Sequence, residues 1–329
     1  MTNVEIAEVI KNTNMYELAC KTTRNINLSE DEGAVVAELD AHFKEIGARG
    51  VDPDCEIASF IQKAINQERY TVPDELLDAM FERGTIGEND DFEGTFDAKN
   101  TLVAYEAAKG GNVKRSYLDT SVLAPAWVNF QIESDLSYQD LERNGWKSVA
   151  KITEYAIEEF KNRQFLYIFD KIDAGITSGA DNYITVGGAA MTQAATDALT
   201  LYVNDRANGE GNIVCQSKYA QQMSKMTGYN SQEMLNEIHR TGRLGMIDGV
   251  ALTPISSAKK LGDKTAVFPD KRVFGVSGKI GILSQRGEMK VYQTMNNNSE
   301  QVHLKFANFE FGVAFNKDTL ENVCKAVLS

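Results

Sequence analysis

The sequence predicts a mixed α+β fold, and three observations predict it. Apolar residues recur at helical spacing through the first ninety positions. One uninterrupted stretch in the middle lacks every helix breaker. The final ninety residues alternate like strands. The chain has 329 residues with 43% hydrophobic side chains, enough to fill the cores of one large or two ordinary domains, and it is not the composition of a disordered chain.

In chain order, Ile6, Val9 and Ile10 mark a first short helix, and Val35, Val36, Leu39, Phe43 and Ile46 a second. Asn27-Leu-Ser-Glu30 supplies the cap of the second helix and Gly47 and Gly50 end it, while Pro53 and Pro73 mark two more starts. Gly87-Glu-Asn-Asp-Asp-Phe-Glu-Gly94 is acidic and glycine-bounded, as an exposed linker is. A boundary is expected there. Thr101–Glu106 and Val113–Asp119 then read as strands joined through Lys109-Gly-Gly-Asn112, a hairpin turn. Neither arm is apolar enough to build a core, so the hairpin must lean on something else, such as another subunit.

From Gly145 to Asp173 neither proline nor a further glycine occurs. Trp146, Val149, Ile152, Ala156, Ile157, Phe160, Phe169 and Ile172 oppose Lys147, Lys151, Glu154, Glu158 and Lys161. One helix on the order of 40 Å long follows. After a glycine-bearing connector the pattern predicts a helix near Thr192–Asn208, a strand at Asn212–Cys215 and helices at Ser217–Met226 and Ser231–Arg240. Strands are expected at Gly249–Pro254, Arg272–Ser277, Lys279–Leu283, Glu288–Met295 and Gln301–Phe315. No internal repeat is present.

Composition excludes several functions. The formal charge of −13 sits entirely in residues 1–100, which hold 22 acidic and 9 basic side chains, and the remainder is neutral. Without clustered lysine and arginine, direct recognition of nucleic acid is not expected. No run of about 18 apolar residues and no signal peptide is seen, so the chain is expected to be made in a cytosol and to bind no membrane.

Cys20, Cys55, Cys215 and Cys324 lack metal or disulfide spacing and read as small buried hydrophobes. His42, His239 and His303 are structural or surface residues by spacing, with no metal site. Gly278-Lys279 lacks the glycine and hydroxyl of a phosphate loop, and the glycines from Gly242 to Gly249 are wrongly spaced for a dinucleotide site. Asp52-Pro-Asp-Cys-Glu56 begins like a calcium loop but meets Lys63 where a bidentate glutamate belongs, so capping is the better reading. Met223, Met226 and Met234 read as core gap-fillers. No catalytic residue, cofactor or metal is expected.

The order of elements, together with Arg115-Ser-Tyr-Leu-Asp-Thr120, Val149-Ala-Lys-Ile-Thr-Glu-Tyr-Ala156, Gly209–Ser217, Gly245-Met-Ile-Asp-Gly249 and Glu310–Phe315, resembles the major capsid proteins of tailed double-stranded DNA phages, which share the Hong Kong ninety-seven fold. The resemblance covers roughly residues 93–329. It implies an N-terminal helical arm over 1–92, an extended E-loop hairpin over 93–128, a peripheral (P) domain over 129–187 with its spine helix at 145–173, and an axial (A) domain over 188–285. Closing strands over 286–329 return to the P domain.

It further implies a virion protein, made in a host bacterial cytoplasm, that self-associates as hexamers and pentamers of an icosahedral shell. The shell encloses DNA without reading its sequence, and portal, scaffold or decoration proteins are the possible partners. Tyr105, Lys109, Lys114, Arg115, Tyr117 and Trp127 are the interface candidates. The aromatics are chosen because interfaces favour them, and Lys109 and Lys114 only by the position of a cross-linking lysine in some relatives. An encapsulin-type compartment with the same fold, and a cytosolic α+β enzyme with a hidden site, are the alternatives.

Overall fold

The computed structural model describes residues 14–71, 75–88, 90, 94–96, 103–106, 121–123, 125–207, 211–226, 228, 232–296, 300–315 and 317–329. Helices α1 (Met15–Thr23), α2 (Glu30–Arg49), α3 (Glu56–Thr71) and α4 (Glu75–Met80) come first, followed by β1 (Phe81–Ile86), β2 (Gly94–Phe96), β3 (Ser121–Leu123) and β4 (Ala126–Ser137). Next are α5 (Tyr138–Asn144), α6 (Trp146–Gly175), β5 (Tyr183–Val186), α7 (Gln193–Ala207), β6 (Gly211–Gln216), α8 (Ser217–Ser224) and α9 (Gln232–Thr241). The chain closes with β7 (Met246–Ile247), β8 (Val250–Ile255), β9 (Arg272–Ser277), β10 (Gly281–Arg286), β11 (Lys290–Asn296), β12 (Gln301–Ala314), α10 (Lys317–Leu320) and β13 (Val323–Leu328).

The uninterrupted stretch is indeed one helix, α6, and the first sheet lies along it. Strand β12 is the hub of that sheet. It pairs antiparallel with β4 along one side, and with β11 and then β10 along the other, while β1 runs parallel beside β10. A bulge between Phe306 and Phe309, with Asn308 at φ 64°, bends β12 and aims Phe309 at α6, where its ring stacks on Phe160 at 4.7 Å.

The second sheet has the order β5-β13-β9-β6-β8-β7. Helix α7 covers it closely because two facing glycines leave room for one valine. A Cβ on Gly211 or Gly275 would meet Val203 at 2.0 or 2.6 Å. Met223 is buried in this second core and Met226 and Met234 pack against it, as gap-fillers do.

The N-terminal helices bury their apolar faces on α6. Trp146 opens that helix, and its ring meets Phe43 of α2 and Phe60 of α3 at centroid distances of 6.2 and 5.4 Å, while its indole N–H donates to Thr22 Oγ1 at 3.1 Å. The backbone N–H of Trp146 donates to Asp40 Oδ1 of α2 at 3.2 Å, so the positive end of α6 is capped from another helix. At the other end Lys325, 5% exposed, donates to the carbonyls of Asp173 and Ile176 at 2.7 and 3.1 Å, which places a cation at the negative pole.

Several expectations need correction. Gly47 does not end α2. It sits inside the helix because a Cβ there would lie 2.3 Å from the backbone nitrogen of Glu142, so it permits a close crossing with α5, and Gly50 in the left-handed region is the true stop. Helix α3 starts at Glu56 and not at Pro53, where the buried Asp52 carboxylate accepts from the N–H groups of Glu56 and Ile57. Cys215 and Cys324 are buried, but Cys20 and Cys55 are only half-buried.

Residues 103–106 form no strand. Strands β1, β4, β5 and β13 were not expected. Ile6, Val9, Ile10, Pro73, the strand expected at Val113–Asp119 and the Lys109–Asn112 turn lie outside the described residues.

Candidate functional site

Function has to be sought at the surface. Among the described residues no group of three or more His, Cys, Asp or Glu side chains is placed to hold a metal, and no helix is long and apolar enough to cross a membrane. Burial pushes the thiols of Cys215 and Cys324 up to about 12, so both stay neutral. His42 lies 2.9 Å from Glu56 between α2 and α3, and His303 lies 2.7 Å from Asp135 across β12 and β4. Both are pairings between neighbouring elements. A cleft of about 400 Å³ opens beyond the C-terminus of α6, lined by Ile176, Asn182, Tyr202 and Arg206 among others. Two of its polar groups are engaged with backbone, Tyr202 donating to the Glu321 carbonyl at 2.7 Å and Asn182 to those of Leu320 and Val323 at 3.0 and 2.8 Å, and the Arg206 guanidinium stacks on the Tyr202 ring at 3.7 Å.

The feature that stands apart is an excursion. Strands β2 and β3 pair antiparallel, with Gly94 opposite Leu123 and Phe96 opposite Ser121, so the chain leaves and returns at one place. Of the span between, residues 103–106 are described and exposed, with Val103 at 53% and Tyr105 at 43%.

Trp127, at the root of the excursion, is held in place. Its ring lies over Gly312, where a Cβ would come 3.0 Å from it, and the Arg286 guanidinium stacks on it at 4.1 Å. Arg286 also contacts Glu310 at 3.4 Å and donates to the Asp90 carbonyl at 3.2 Å. The structure therefore places Tyr105 on the surface and Trp127 half-buried in an intramolecular stack. Lys109, Lys114, Arg115 and Tyr117 lie outside the described residues.

Exposed apolar side chains that sequence reasoning missed are Tyr155 on α6, Leu201 on α7, Met246 on β7 and Tyr292 on β11. Leu201, 62% exposed, was detectable, because Ala195, Leu199 and Val203 define the buried stripe of α7 and Leu201 lies off it.

No family model and no curated protein matches the sequence. Solved structures do. The head structure of Helicobacter pylori bacteriophage KHP40 superposes over 78% of this chain and 91% of its own, with a TM-score of 0.53 at 12% identity. The acidic stable capsid structure of Helicobacter pylori bacteriophage KHP30 matches over 76% and 88%, with a TM-score of 0.51 at 12% identity.

The fold is the Hong Kong ninety-seven capsid fold. The capsid of a native GTA particle matches as well, over 75% of this chain and 87% of its own, with a TM-score of 0.50 at 10% identity. In this fold the long helix, the two sheets and the outgoing excursion are parts of one chain.

Proposed function

We propose that this chain is the major capsid protein of a tailed phage, self-assembling through hexamers and pentamers into an icosahedral shell around double-stranded DNA. One observation carries the reading: a capsid fold from which an excursion departs between β2 and β3, with Val103 and Tyr105 on it 53% and 43% exposed. Apolar surface left uncovered by a subunit is what a neighbouring copy buries, and closed symmetric assemblies repeat one such contact many times.

In this reading residues 93–128 are the E-loop and 129–187 with α6 the P domain. Residues 188–285 are the A domain, and the closing strands return to the P domain. The chain acts as structure and not as an enzyme. It is made in the host cytoplasm and resides in the virion, with portal, scaffold or decoration proteins as further partners. The acidic first hundred residues suit a wall that encloses DNA without gripping it, since like charge repels phosphate. No observation on the described residues favours the compartment-shell or enzyme readings.

Size-exclusion chromatography with light scattering tests the proposal. Capsomers or megadalton particles are expected. Elution as a monomer or small oligomer under all conditions contradicts it.

A further inference from the structure

We infer that α3 is a built-in guard of the β11 edge, closing a site at which a second copy of this chain would otherwise pair strand to strand. The inference does not depend on the shell reading and concerns a surface that is covered in the folded subunit.

An edge strand presents a row of backbone donors and acceptors that templates another strand unless something blocks it. Strand β11 is such an edge, because β12 occupies only one of its sides. On the other side, the Val291 N–H and that of Met289, just before the strand, end on side-chain amides. The N–H of Val291 donates to Gln62 Oε1 at 3.1 Å, and that of Met289 to Asn66 Oδ1 at 3.0 Å. Asn66 Nδ2 returns a bond to the Met289 carbonyl at 3.0 Å. The spacings match: Gln62 and Asn66 are one helical turn apart on α3, and Met289, just before β11, and Val291 in it are two residues apart, so their N–H groups point the same way.

Gln293 completes the seam by accepting from the Ala58 N–H at 3.2 Å and donating to Asp52 Oδ2 at 3.0 Å. The same N-terminal segment closes the rest of this side of the sheet, since β1 pairs with β10.

The composition of β11 shows why it needs a cover and who would occupy it. Lys290-Val-Tyr-Gln-Thr-Met-Asn296 is seven residues rich in strand formers, with one charge, no proline and no glycine, the pattern of segments that pair with copies of themselves. Tyr292, 52% exposed, extends the apolar surface beyond the edge. The opposite edge is protected differently. Strand β4 alternates Asn129, Gln131, Glu133 and Asp135 on its exposed face, so it carries its own charge.

The test is the full-length Gln62→Ala/Asn66→Ala chain, followed by hydrogen exchange across residues 286–296 and by sedimentation with thioflavin fluorescence at rising concentration. Alanine favours helix, so α3 should persist. Exchange at Met289 and Val291 is expected to quicken roughly tenfold as their acceptors vanish, and a thioflavin-positive species that grows with concentration should appear. Closed particles bind no thioflavin and remain distinguishable. Adding Thr294→Lys, a charge on the exposed face of β11, should abolish the new species.

Unchanged exchange would overturn the assignment of the cover, and faster exchange without association would overturn the guard. Association that survives Thr294→Lys would mean that pairing runs elsewhere, which also overturns it. Should the double variant unfold, Gln62→Ala alone frees one donor while keeping both Asn66 bonds. Association of that chain supports the guard, and its absence overturns it.

Discussion

Two segments of this molecule read alike as extensions from the body, and the structure separates them. The helical segment from Met15 to Met80 finds its core within the subunit, with Met15, Leu18, Phe43, Ile46, Phe60 and Ile61 all at 2% exposure or less. The excursion between β2 and β3 leaves Val103 and Tyr105 in solvent. The difference is density. Helices α2 and α3 carry apolar residues every third or fourth position and so close a seam on α6, whereas the described part of the excursion carries Val103 and Tyr105, both exposed. Apolar density, and not place at the end of the chain, is what seats the helical segment on its own subunit.

The comparison breaks most visibly at Trp146. Trp146→Ala should cost about 3–5 kcal/mol, read by denaturant unfolding, because the ring is shared by α2, α3 and α6. A loss of a few tenths would mean the helical segment is only loosely attached. At the α2–α5 crossing, Gly47→Val should cost about 1–3 kcal/mol, since the obstacle is backbone and no side chain can swing away. Asp52→Ala removes a buried cap of α3 and the Gln293 link, for about 1–2 kcal/mol in thermal unfolding.

On the other side of the comparison, Val103→Ser with Tyr105→Ser should leave subunit stability within about 0.5 kcal/mol while weakening association. An equal loss of subunit stability would show that the excursion packs in cis.

The smallest expected effect is at the surface of the second sheet. A hydrogen bond from Lys218 holds the Asp270 carboxyl below its ordinary 3.8, so its contribution is fully present above that value and is lost as pH falls through the depressed one. Both side chains are about half exposed, so the contribution stays below about 1 kcal/mol. Asp270→Asn should flatten the acid limb of the stability curve by lowering neutral stability by less than about 1 kcal/mol while leaving stability at low pH unchanged.

Elements whose signal is local were legible in the sequence. Helix α6 announced itself by an apolar stripe without breakers, and β9 and β12 by strand-forming runs bounded by turns. Long-range features were not. Gly47 looks like a helix stop until α5 is known to cross there, and β13 hides a buried lysine whose partner is the end of α6. Strand β1, Phe-Glu-Arg-Gly-Thr-Ile, has too few apolar residues to declare itself and exists because β10 offers an edge. Strand β4 was the avoidable miss, since Val128, Phe130, Ile132 and Leu136 alternate with polar residues in plain sight. At the candidate site, the aromatics flanking the excursion were visible, but only the fold distinguishes Trp127, stacked under Arg286, from Tyr105, which is 43% exposed.

The central claim is that this subunit completes its surface with copies of itself, and electron microscopy of the purified full-length protein tests it most directly. Closed particles of uniform size, with residues 15–86 packed on their own subunit and the excursion lying on a neighbour, are the predicted result. A field of dispersed single subunits at every concentration and salt tried would contradict it.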